Sequence, residues 1–162
     1  GDTRTKFLKQ VIGLTEQVIE NPEDSRSLFY TGMAYLQAGE PEIANAVFKQ
    51  RLKVPGDPQE AYNCDIRSAV YENDVNRLLG AYQARPTRPD PFYILGQSMM
   101  NKKAFHLARV LFVAAIWVGE NHECLDTVFY DRSMLEKSKD LFQQCTKMIG
   151  EPDAKKLEYR EI

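Results

Sequence analysis

Two histidines, three cysteines and a few clustered arginines are the side chains of this 162-residue chain whose types could do chemistry. An imidazole beside a carboxylate and a thiol can ligate a metal or activate a nucleophile, and His122-Glu123-Cys124 offers all three in a row. Metal ligands and catalytic partners must converge from spaced positions, however, and no further partner stands at such a spacing, so the trio reads as a helix-end cap or surface turn. His106, next to Phe105, reads as a partly exposed helix residue. Cys64 lies near Tyr62 and Ile66, and Cys145 near Leu141, Phe142 and Met148; thiols in such apolar company are small buried hydrophobes rather than nucleophiles. Gly56 and Gly80 are isolated and form no phosphate-binding loop. Lys49, Arg51 and Lys53 alternate along one helix, spreading over about 200 degrees of its surface, and read as a solvated face. Arg85 and Arg88 occupy a proline-rich connection that could show a guanidinium pair to an anion, although loop solubility accounts for them more simply. The expectation is a chain with no catalytic residue, no cofactor and no metal.

Composition narrows the setting in which these residues stand. Apolar residues make up 43% and charged residues 27%, enough for a packed core in one domain. With 21 basic and 23 acidic residues the net charge is -2, so there is no positive field to displace counterions from nucleic acid. The longest apolar run, Val110 to Gly119, is about half a bilayer span, and the N-terminus has no signal-peptide pattern, so neither a membrane nor export is expected. Three widely spaced cysteines do not make a disulfide framework, which points to a reducing, cytoplasmic compartment. The chain opens on Gly1 rather than methionine, as a processed chain or a piece of a longer one would.

The elements that must carry these residues are helices, and they repeat. Leu28-Phe29-Tyr30-Thr31-Gly32-Met33-Ala34-Tyr35 is echoed 64 residues later by Phe92-Tyr93-Ile94-Leu95-Gly96-Gln97-Ser98-Met99. In the same register Pro22 meets Pro86, Ala44 meets Ala108 and Phe48 meets Phe112. Large apolar residue, Leu-Gly, aromatic, Ala-x3-Phe and Pro in that order resemble the tetratricopeptide repeat, with Thr31 and Met99 as departures. In that pattern the small residues let two helices approach, the phenylalanine fills space between hairpins, and proline ends a helix. Two units of about 32 residues fit the offset, so a diverged hairpin is expected between the good copies, running from Pro58 to about Glu72 and from Asp74 to about Ala84. Leu78, Ala81 and Pro86 take its phenylalanine, second-alanine and proline slots.

The expected fold is therefore all-α, an α-α superhelix of three to four hairpins in one domain with essentially no sheet. Residues 1–24, with Phe7, Leu8, Val11, Ile12, Val18 and Ile19 at helical spacing, supply a helix of an incomplete first hairpin. Units follow at 25–56, 57–88 and 89–122, then closing helices at 123–150 carrying Val128, Phe129, Leu135, Leu141 and Phe142, and a polar tail at 151–162. The groove of such a stack is lined by the first helix of each hairpin. There the register places Phe29, Met33 and Leu36 in one copy and Tyr93, Gln97 and Met100 in the other, an apolar, methionine-bearing lining suited to a protein or peptide segment. These six could equally be covered by the chain's own terminal helices. On the groove reading, Tyr93→Ala weakens binding without unfolding the chain, whereas Phe112→Ala leaves a cavity that costs about 3 to 5 kcal/mol of stability.

Three stretches narrow the resemblance: Ser27 to Gly39, Lys49 to Leu52, and Ala81-Tyr82-Gln83-Ala84-Arg85-Pro86-Thr87-Arg88-Pro89-Asp90-Pro91-Phe92-Tyr93. They are similar to the helical-repeat module that follows the catalytic domain in certain nucleotide-sugar glycosyltransferases. That resemblance implies a non-catalytic interaction module whose parent protein is a transferase, with an adjacent domain of the same parent among its partners and self-association left open. No Asp-x-Asp for a metal-bound sugar nucleotide occurs in this chain, so no catalytic residue carries over. The alternative is a small helical enzyme or sugar- or anion-binding domain working through groove carboxylates and arginines.

Overall fold

The computed structural model describes residues 2–123 and 130–150. It contains eight α-helices over those residues: α1 (Asp2–Glu20), α2 (Ser25–Gln37), α3 (Pro41–Leu52), α4 (Pro58–Tyr71), α5 (Val75–Ala84), α6 (Asp90–Asn101), α7 (Phe105–Asn121) and α8 (Met134–Ile149). No strand occurs among the described residues. Both helices expected of the diverged hairpin are present as α4 and α5, and the closing segment supplies α8. Cys124, Val128, Phe129 and the tail at 151–162 lie outside the described residues. The chain divides into two compact units, 1–73 and 74–162, with the boundary in the turn between α4 and α5.

Helix starts follow local chemistry. Asp24 caps α2 by accepting from the backbone N–H of Arg26 and Ser27, Asp57 caps α4 through Gln59 N–H, and Asp74 caps α5 through Arg77 N–H. Pro41, Pro58 and Pro91 stand in first turns, where a missing N–H costs nothing. The ends of α2 and α6 are built alike. Gly39 has φ +78 and donates to Leu36 O, while Glu40 N–H reaches back to Tyr35 O at 3.0 Å. In the same register Lys103 has φ +62 and donates to Met100 O, and Ala104 N–H reaches Met99 O at 2.9 Å. Both are left-handed stops of the Schellman kind, which turn the chain into the second helix of its hairpin.

In the first unit α2 packs on α1 and α3, and α4 packs on α3. In the second, α7 packs on α6 and α8. Within each good hairpin a ring sits on a glycine. A Cβ built on Gly32 would lie 2.5 Å from Phe48 Cε1, and one on Gly96 would lie 2.8 Å from Phe112 Cε1. Each phenylalanine thus fills space against the first helix of its own hairpin, where the repeat pattern had suggested a role between hairpins. Ala44, Ala108 and Ala115 are wholly buried beside them, and Leu78 and Ala81 are buried at their expected slots.

Candidate functional site

The six groove positions fall into two trios, one on α2 in the first unit and one on α6 in the second, each at i, i+4, i+7 spacing on a single helix face. Phe29 and Tyr93 are 6% and 8% exposed, so each ring belongs largely to the core of its unit. Tyr93 packs its ring on Phe112, centroids 6.3 Å apart, and Phe29 meets Tyr30 edge-on at 5.3 Å. Met33, Leu36, Gln97 and Met100 are half-buried. Gln97 Nε2 donates to Tyr93 Oη at 3.2 Å, tying the phenol to the next turn of the same helix.

Two arginines expected on the surface are instead inside. Arg51 is buried: its guanidinium pairs with buried Glu60 and donates to Val54 O at 3.1 Å and Asp57 O at 3.2 Å. Lys49 and Lys53 do remain exposed, so only the residue between them departs from the solvated-face reading. The loop between α3 and α4 closes over the guanidinium, and a Cβ on Gly56 would come within 2.7 Å of Arg51 Nη2. Arg26 approaches the other Glu60 oxygen at 3.7 Å, so one carboxylate ties α2, α3 and α4 together. Arg88 is buried as well, and its fork donates to both oxygens of Asp90 at 2.6 and 2.8 Å. Its guanidinium also lies 4.8 Å from the Tyr130 ring centroid. A third arginine, Arg109, is buried in α7 against the Phe142 ring at 5.3 Å. The only sequence signal for the first two was the nearby acid, nine residues from Arg51 and two from Arg88; Arg109 had none.

His122 is the C-cap of α7 and stands edge-on to Trp117 at 5.7 Å, while His106 is exposed on the same helix. Cys64 and Cys145 are buried and free. Burial pushes the Cys64 thiol up to about 12, outweighing the pull of Arg51, and burial raises Cys145 in the same direction. A thiol so placed carries almost no thiolate at neutral pH. Among the described residues no three His, Cys, Asp or Glu side chains are grouped to hold a metal ion. No helix among them is long and apolar enough to cross a membrane.

Known proteins match this chain in structure only. No protein-family model matches the sequence, and no curated protein matches it significantly. A solved structure described as "MamA 41-end from Desulfovibrio magneticus RS-1" superposes with a TM-score of 0.53 at 16% identity, over 96% of this chain and 87% of that one. The fold is tetratricopeptide-like. "MamA RS-1 ArsTM double mutant" gives 0.53 at 15% identity, over 91% of this chain and 87% of that one. A further MamA crystal structure gives 0.51 at 16%, over 91% and 81%. At such identities the likeness speaks for the fold alone, and none of these matches supports the link to a glycosyltransferase.

Proposed function

We propose that this chain is a non-catalytic interaction module that takes a protein or peptide segment, and that it serves as the accessory tetratricopeptide domain of a glycosyltransferase in a reducing, cytoplasmic compartment. The observation that supports the binding role is made in each unit by itself: half-buried Met33 and Leu36 stand beside buried Phe29 on α2, and half-buried Gln97 and Met100 beside buried Tyr93 on α6, each on the first helix of a glycine-locked hairpin. Flexible methionine side chains over a rigid base suit an apolar partner segment. The transferase association rests on the resemblance of Ala81 to Tyr93. The anion-binding alternative loses its best residue, because the Arg88 fork is spent on Asp90.

The test begins with the full reading frame, which should encode an upstream domain with Asp-x-Asp at a strand end. Calorimetric titration of that domain with this chain should show binding, and Met33→Glu or Met100→Glu should weaken it about tenfold or more without lowering the melting midpoint. Binding that ignores both substitutions would remove the groove reading. A reading frame without a transferase domain would remove the parent assignment.

A further inference from the structure

Among the described residues α2 is the only helix that packs on α1. Val11 is buried, and the Thr15 hydroxyl meets Tyr35 Oη at 3.2 Å. The apolar surface of α1 runs on past that contact. Leu8, Ile12 and Ile19 fall within about 40 degrees of one another around the helix, and they are 46%, 58% and 74% exposed. Ile19 is the most exposed large apolar side chain among the described residues.

The charges beside this face say what it can receive. Lys9 and Glu16 are exposed on its flank away from α2, within about 20 degrees of each other. Neither has an opposite charge within four residues on α1, and neither is paired elsewhere among the described residues. The last turn, which ends on Glu20, holds no base, so α1 also runs against the preference of its own macrodipole there. A second α1 running the opposite way supplies what these charges lack. Turned about a point between Gly13 and Leu14, it sets Leu8 opposite Ile19. The same turn brings Lys9 of each copy within about 3 Å of axial rise of Glu16 of the other, on one shared flank. A parallel mate would instead turn that flank onto the side of its partner that α2 occupies.

We propose that the exposed face of α1 is a self-association surface on which α1 of a second copy packs antiparallel, Lys9 of each copy pairing with Glu16 of the other. Such an interface is isologous, so one helix face supplies both halves. One helix pair covers less than the roughly 800 Å² per partner of a stable complex, so the dimer is weak and concentration-dependent. The proposal does not rest on the groove positions of α2 and α6.

Sedimentation equilibrium of the 162-residue chain between about 10 μM and about 1 mM reads the dimer directly. The weight-average mass should climb from 18.6 kDa towards twice that value. Ile12→Glu should weaken association about tenfold or more while leaving the melting midpoint of the dilute chain unchanged, since the site is exposed. Lys9→Glu and Glu16→Lys should each weaken it about tenfold, because each turns both ion pairs into repulsions. Mixed in equal amounts, these two variants should associate again, since each supplies the charge that the other lacks. A chain that stays at 18.6 kDa throughout overturns the proposal and leaves the face to a different protein. Association indifferent to Ile12→Glu, or a mixture no tighter than either charge variant alone, overturns it equally.

Discussion

Position 32 tolerates nothing beyond a hydrogen, because the buried Phe48 ring occupies the volume that a Cβ would take. Gly96 stands in the same relation to Phe112. Neither ring can swing aside in a packed interior, so alanine at either site forces the two helices apart. Gly32→Ala and Gly96→Ala should each lose about 1 to 3 kcal/mol in urea unfolding, even though alanine is the better helix former. Tyr93 is the more instructive residue. The repeat register assigns it to the groove, yet its ring rests on Phe112 and is almost fully covered. Tyr93→Ala should therefore cost about 3 kcal/mol, approaching Phe112→Ala, whereas Met100→Ala should cost clearly less. Thermal midpoints of the three variants decide this, and an unperturbed Tyr93→Ala protein would return the residue to the groove.

Among the elements, the stops of α2 and α6 share one geometry with different residues. Gly39 adopts the left-handed conformation freely, while Lys103 holds it at a steric cost of about 1 kcal/mol. Lys103→Gly should therefore stabilise the second hairpin by about 0.5 to 1 kcal/mol, and Gly39→Lys should do the reverse to the first; chemical denaturation of both variants shows whether the signs are opposite. At the other end of α2, the Ser27 hydroxyl and N–H hydrogen-bond the cap Asp24 and hold its carboxyl below the usual value. For Asp131, burial pulls upwards, but the hydrogen bonds from Lys137 and Ser133 prevail and lower it too. A carboxylate whose folded pKa is depressed contributes stability that is fully present above its unfolded pKa of about 4 and is lost as pH falls through the lower folded value. Stability should thus decline below about pH 4, and Asp24→Asn, which keeps the cap but cannot ionise, should flatten part of that decline.

At the scale of the whole molecule, each compact unit carries its own buried thiol, Cys64 in the first and Cys145 in the second. Both are held protonated by burial, so a thiol reagent should leave them untouched until the surrounding unit opens. With Cys124→Ser to remove the third thiol, labelling followed along a urea gradient reports the opening of each unit separately. Rapid modification of either cysteine in native buffer would contradict the packing around it.

By itself the sequence determined the helical class and the hairpin register. Glycine, alanine, phenylalanine and proline at fixed intervals act through neighbouring turns and short-range sterics, and a period of about 32 residues makes them legible. The helix start at Pro58 was legible for the same reason, since a capping aspartate and a first-turn proline are local devices. Only the tertiary structure decided which polar side chains went inside. Arg51 and Arg88 carry only a nearby acid as a local mark and Arg109 not even that; each is buried because the folded chain closes over it and a carboxylate or aromatic face receives the guanidinium. The same holds for Tyr93: a helix face names the direction of a side chain, but the depth of the neighbour packed on it decides whether a partner can reach it.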